Sequence, residues 1–177
     1  TELEPEESAA MVDDIGFGYY YQPAFNPGIA ALFDRRDNMG VRTFVNTIET
    51  LANPSGASVH LGSFYHLPFA KKMVRTLAQS ETSTVSRALF FQGMEGYDDV
   101  RPGYTVVAEW PVADGSDDED IADFEIRTGD YGMDVTSEDL QVDDVAADSA
   151  AITESVLTGE RTDDFADAVA LNAALRI

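Results

Sequence analysis

Ala88-Leu89-Phe90-Phe91-Gln92-Gly93-Met94-Glu95-Gly96-Tyr97-Asp98-Asp99 passes directly from an apolar run into a glycine turn and a pair of carboxylates. A short apolar run rich in aromatic residues, bounded by polar residues and glycine, reads as a buried strand, here over 86–92. In open α/β sheets, ligands sit just outside the carboxyl ends of the strands. Asp98 and Asp99 are therefore candidate metal ligands. A hard cation such as Mg²⁺ is held by one or two carboxylates together with substrate phosphates and water, and the glycines allow close approach of the backbone. Adjacent acids also occur at Glu6-Glu7, Asp13-Asp14, Asp143-Asp144 and Asp163-Asp164. Position behind a strand, more than residue type, singles out Asp98-Asp99; the alternative is a solvated acidic turn.

Working outward, Val59-His60-Leu61 is a short strand ending at Gly62, and Phe69 to Leu77 is a helix with Lys71, Lys72 and Arg75 on its polar side. Strand, helix and strand in this order predict parallel pairing. Downstream, Tyr104–Val112 and Ile121–Ile126 read as a β-hairpin around the acidic turn Asp114–Asp120. Asp148–Gly159 and Asp163–Leu175 read as helices whose Ala and Leu spacing implies packing against a core. Upstream, a helix with acids in its first turn runs to Gly16, and Phe17–Tyr21 is a short aromatic strand. Asn26-Pro27-Gly28 opens a second helix from about Ile29 to Asn38, and Val41–Leu51 has helical periodicity. Arg35 and Arg36, near the end of that second helix, either complement its dipole or form an anion site suited to a phosphate or carboxylate. The fold expected is one α/β domain over 1–177, a mixed, largely parallel sheet flanked by helices with a β-hairpin insertion.

The charge balance is extreme, 33 Asp and Glu against 11 Lys and Arg for a net −22, while 44% of residues are hydrophobic. Such hydrophobicity is too high for a disordered acidic chain, so the acid must coat a folded surface. Only Lys71 and Lys72 are lysines, and a coat of this kind suits a salt-rich cytoplasm, where cations screen the self-repulsion. Nucleic acid and anionic membranes are disfavoured as partners because both require basic patches. With no Cys, disulfides and thiolate metal sites are excluded, and His60 and His66 are too few for a His-rich metal site. No apolar stretch approaches the roughly 18 residues needed to span a bilayer, which predicts a soluble, cytoplasmic protein. Both ends, Thr1 and Leu175-Arg176-Ile177, read as cut.

The order of segments resembles the later part of the anthranilate phosphoribosyltransferase family. The resemblance rests on Tyr21-Gln22-Pro23-Ala24-Phe25-Asn26-Pro27-Gly28, on Arg36 before Gly40, on Val41-Arg42-Thr43-Phe44-Val45-Asn46 and on Asn53-Pro54. It continues through Gly93-x-Glu95-Gly96-x-Asp98-Asp99, Ala151–Glu160 and Ala168–Ala174, and so covers nearly the whole chain. It implies transfer of phosphoribose from phosphoribosyl pyrophosphate to anthranilate in tryptophan biosynthesis, with Mg²⁺ on the pyrophosphate. By the resemblance, Asp98 and Asp99 bind the metal, Arg36 orients the anthranilate carboxylate, and Asn26 lies at the substrate site where the family usually has His. The family's phosphate-binding loops and amino-terminal helical domain, through which the intact protein would form a homodimer, would precede Thr1. This segment alone is then expected to be inactive. Asn46-Thr47-Ile48-Glu49-Thr50-Leu51 stands where the family carries a Gly-Pro segment. That departure, with Asn26, is nearer to divergent relatives that bind a nucleotide, nucleic acid or protein without the biosynthetic activity.

Overall fold

A computed structural model of the chain describes residues 2–32, 48–93, 97–111 and 121–176. The chain divides into two compact units, 1–57 and 58–177, taken in turn below.

In the first unit, α1 (Pro5–Ile15) begins where proline is tolerated, at its first position, and stops at Gly16 in the left-handed conformation with φ +72°. Glu7 closes the amino end by accepting the Glu4 N–H at 2.9 Å. Phe17–Tyr21 was expected to be a strand but forms no ladder among the described residues. It returns along α1 instead. The buried Ser8 hydroxyl donates to the Tyr19 carbonyl at 2.6 Å, and a Cβ on Gly18 would strike the Val12 side chain. Two one-turn helices follow, α2 (Gln22–Phe25) and α3 (Pro27–Ala30), the start of the helix expected from Ile29. Ala31 and Leu32 form a turn instead of continuing that helix, and residues 33–38 and 41–47 of the two expected helices lie outside the described residues.

The second unit holds a four-stranded sheet in the order β1 (Val59–Ser63), β2 (Arg87–Phe91), β3 (Tyr104–Trp110), β4 (Ala122–Arg127). The β1–β2 pair is parallel, joined through α4 (Leu67–Gln79), as the strand–helix–strand pattern predicts. The class is α/β as expected, but the β2–β3 and β3–β4 pairs are antiparallel. A largely parallel sheet with the hairpin as an insertion is thus corrected among the described strands. The hairpin is part of the sheet because β3 carries its own apolar alternation and pairs directly with β2.

Alternation along β2 separates two faces. Leu89 and Phe91 join Val100, Val107 and Ile126 in a buried cluster, against which Leu171 and Leu175 pack. Those leucines belong to or follow α6 (Asp164–Ala174), which is preceded by α5 (Val145–Leu157). On the other face lie Ala88 and Phe90, both fully buried, while α4 shuts Ala70, Met73, Val74 and Leu77 from water at helical spacing. Gly62 is required beneath Phe90, since a Cβ there would meet the ring at 2.9 Å. Both carboxy-terminal helices are capped by aspartate: Asp144 accepts from Ala146 N and Ala147 N at 3.1 and 3.0 Å, and Asp163 accepts from Phe165 N at 3.2 Å. The core packing expected of them is met by α6 through the partly buried Leu171; neither α5 nor α6 has a fully buried residue.

Candidate functional site

Parallel pairing puts the carboxyl ends of β1 and β2 at one edge of the sheet. There the Phe64 N–H donates to the Phe91 carbonyl at 2.9 Å, and the Gln92 side-chain amide donates to the Tyr65 carbonyl at 3.0 Å. From this edge the chain enters the loop that carries Asp98 and Asp99. Residues 94–96 lie outside the described residues; Tyr97 onward is placed.

Gly93 is completely hemmed in. A Cβ on it would fall on the Tyr97 carbonyl oxygen and on Asp99 Oδ1, so the loop folds back over this glycine in a cradle that no side chain can share. Gly93 also stands beside Gln92, whose N–H donates to the Val106 carbonyl at 2.9 Å. The start of the loop is therefore fixed to β3.

Farther along, α6 grips the loop. Asn172 Oδ1 accepts the Val100 N–H at 2.8 Å, and its Nδ2 donates to the Val100 carbonyl at 3.4 Å and to the Ala168 carbonyl at 3.0 Å. Arg176 follows one turn later. Its Nη1 donates to the Asn172 carbonyl at 2.7 Å and to Asn172 Oδ1 at 2.9 Å, and its Nη2 donates to the Asp98 carbonyl. The same Nη2 lies 3.7 Å from Asp98 Oδ2, and the guanidinium carbon sits 4.9 Å from the centre of the buried Phe91 ring. Beyond Val100, the buried hydroxyls of Thr105 and Thr128 accept the Arg101 and Gly103 N–H groups at 2.9 and 3.1 Å. The acid loop is thus tied to β3, to α6 and to the end of β4.

Asp98 and Asp99 are brought to the position expected of them, at the carboxyl end of β2. Half of the Asp98 side chain remains open to solvent. Among the described residues no cluster of three or more His, Cys, Asp or Glu could enclose an ion. Asp98 is half open and Asp99 partly buried with its Oδ1 folded over Gly93, so the pair forms no closed all-protein site; a cation here would be a hydrated hard one that completes its shell from substrate oxygens. Asn26 lies in the first unit, between α2 and α3; its N–H donates to the Gln22 carbonyl at 2.8 Å, and its own carbonyl accepts from Ile29 and Ala30 at 3.0 Å. Arg36 lies outside the described residues, as does the acidic turn Asp114–Asp120. His60 has a structural setting, its ring 5.8 Å from that of Phe90.

Two residues that sequence reasoning did not single out, Asn172 and Arg176, do most to place the acid loop. The only signal for Asn172 was its polarity inside the apolar stretch Ala168-Val169-Ala170-Leu171-Asn172-Ala173-Ala174, and Arg176 lies just beyond it. A depression of about 600 Å³ lined by Gln141, Asp143, Asp148 and Arg161 adds no second site, because Arg161 is already paired with Asp163 at 3.0 Å and stacked on Phe165.

Residues 1–177 match the model of a family described as glycosyl transferase family, a/b domain. The chain is 31% identical over 174 residues to an anthranilate phosphoribosyltransferase of Persephonella marina, covering 97% of this chain and 48% of that protein. It is 33% identical over 174 residues to one of Xanthomonas campestris, covering 97% and 47%. It is 28% identical over 177 residues to one of Haloferax volcanii, covering 99% and 50%. The chain spans about half the length of these curated relatives.

Proposed function

Because the chain belongs to the glycosyl transferase family through its a/b domain, we propose that the intact protein transfers phosphoribose from phosphoribosyl pyrophosphate to the amine of anthranilate, in tryptophan biosynthesis. In this reaction the amine nitrogen forms a bond to C1 of the ribose, the bond from C1 to the pyrophosphate oxygen breaks, pyrophosphate departs and the amine loses a proton. One observation carries the reading beyond family membership: the acid loop, cradled on Gly93 and tied to three elements, presents Asp98 and Asp99 at the carboxyl end of β2.

Preorganised charge at the leaving group is the largest single lever available to such a transfer. Asp98 and Asp99 would hold Mg²⁺, which neutralises the charge developing on the pyrophosphate. The loop's own contribution is to keep both carboxylates in place without reorganisation during the reaction. Arg36 would engage the anthranilate carboxylate through its planar fork, with Asn26 at the same substrate. We read residues 1–177 as the carboxy-proximal portion of the domain, the phosphate cradle coming from the rest of the protein.

Among the described residues no helix is long and apolar enough to cross a membrane, and we infer a cytoplasmic enzyme adapted to high salt, on the strength of the net charge of −22. The divergent, non-biosynthetic reading is favoured by one observation, the segment Asn46–Leu51 in place of the family's Gly-Pro.

The test is loss of anthranilate fluorescence with the full-length protein in molar KCl with Mg²⁺ and phosphoribosyl pyrophosphate, beside Asp98→Asn/Asp99→Asn. Turnover that falls by at least about 100-fold in the variant, the scale expected for removing a principal electrostatic contact, supports the transferase. Absence of turnover in the unaltered protein refutes it and favours the divergent relative.

A further inference from the structure

The two edges of the sheet are built differently. β4 exposes Asp123, Glu125 and Arg127 along its length, and charges of this kind keep an edge strand from pairing with another strand. β1, Val59-His60-Leu61-Gly62-Ser63, carries no Asp, Glu, Lys or Arg and lacks that protection.

Hydrogen bonding fixes which backbone groups of β1 face outward. The Ser58 carbonyl accepts the Arg87 N–H at 3.1 Å, and the Phe64 N–H donates to the Phe91 carbonyl at 2.9 Å. Alternation along a parallel ladder therefore turns the even-numbered residues of β1 toward β2. The N–H and C=O groups of Val59, Leu61 and Ser63 point the other way, and among the described residues no hydrogen bond reaches them. Leu61 is partly buried and packs against the core cluster of Leu89 and Phe91, a setting in which backbone polar groups are as a rule paired.

We propose that β1 is an inner strand of the intact protein, its outer edge pairing with a further strand from the part of the polypeptide outside residues 1–177. The relatives supply the length, since this chain covers 48%, 50% and 47% of them. A second copy is the poorer occupant, because each copy of this segment carries a net charge of −22 and repels the other. Whichever way the added strand runs, one of its ends reaches the rim where β1 and β2 end and the acid loop begins. The rest of the protein gains a fixed position beside that loop. The inference rests on the reading of residues 1–177 as a portion of a longer protein; the mass of the purified polypeptide tests that reading by itself, and a value near 19.3 kDa refutes it.

Hydrogen exchange of the unaltered full-length protein, resolved to single amides, reads the pairing directly. Leu61 and Ser63 are expected to exchange at least about 100-fold more slowly than in an unstructured chain, because a ladder amide exchanges only through local opening. With p-benzoylphenylalanine in place of Val59, which is 46% exposed, irradiation is expected to cross-link position 59 to a residue outside 1–177 of the same polypeptide. Ser63→Pro removes an outward N–H and is expected to melt about 5 °C or more below Ser63→Ala, whereas a free edge tolerates proline. Exchange needs no variant, so it decides the matter even where Ser63→Pro does not fold.

Exchange of Leu61 and Ser63 within about tenfold of the unstructured rate overturns the proposal. So does a cross-link within residues 1–177 or to a second copy, the absence of any cross-link, or equal melting of the proline and alanine variants. Slow exchange with the expected cross-link, in a protein that does not consume anthranilate, would refute the transferase reading and leave this one standing.

Discussion

Replacing Asn172 by alanine removes the side-chain grip of α6 on Val100, and with it the Oδ1 that accepts from Arg176 Nη1. Val100, only 3% exposed, loses the acceptor of its N–H, which lay 2.8 Å away. A buried amide left without a partner costs about 1–3 kcal/mol. The weaker bond from Asn172 Nδ2 to the Val100 carbonyl at 3.4 Å adds little. Alanine returns up to about 0.7 kcal/mol as the better helix former. The net expectation is a loss of about 1–2 kcal/mol, which for a protein of this size lowers the melting temperature by roughly 2–8 °C. Thermal unfolding followed by circular dichroism reads the temperature, and amide hydrogen exchange reads Val100 itself. A melting temperature within about 1 °C of the unaltered protein, with Val100 still protected, would refute the role assigned to Asn172.

Two further outcomes follow from charge. Asp139 Oδ2 accepts from the Thr136 N–H at 2.8 Å and from its hydroxyl at 2.7 Å, and the backbone bond first, then the hydroxyl, holds its carboxyl below the ordinary value. A carboxyl depressed in the folded state stabilises above the unfolded value near about 3.9 and loses that contribution as pH falls through the folded one. The difference in melting temperature between the unaltered protein and Asp139→Asn should therefore shrink on going from pH 6 into the acid limb; a constant difference contradicts the assignment. With net charge −22, raising KCl from about 0.1 to 1 M shortens the screening length from about 10 to 3 Å and should raise the melting temperature by about 5 °C or more. A flat or falling response in a KCl titration would remove the basis for salt adaptation.

What could be read from the chain alone was whatever local pattern controls. Gly16 and Gly159, both at positive φ after a helix, and Asp163, which caps α6, mark element ends through chemistry confined to a few residues, whereas α5 begins behind its Asp144 cap, ahead of the Asp148 start expected. The apolar run into Gly93 likewise placed Asp98 and Asp99 at a strand's carboxyl end. Phe17–Tyr21 misled because aromatic content suits a strand, yet a strand also needs a neighbour. Here the backbone partner is the Ser8 hydroxyl on α1. The hairpin was recognised, but its union with β2 depends on the register Ala88–Trp110 to Phe91–Val107, which no turn residue announces.

The acid loop shows why half of a site can be legible and the other half hidden. Asp98 and Asp99 are found from their immediate neighbours, since strand, glycine and carboxylates lie consecutively. Asn172 and Arg176 reach Val100 and Asp98 across 72 and 78 residues, from a helix whose Ala and Leu pattern explains itself as core packing. Their polarity has meaning only once Leu171 and Leu175 are seated on the Leu89–Phe91 face, because that docking alone turns the next polar positions toward the loop. The hydrophobic contact is thus the cause and the polar grip its consequence. Weakening the leucine contact by Leu171→Ala should loosen the loop without altering a single polar atom in it.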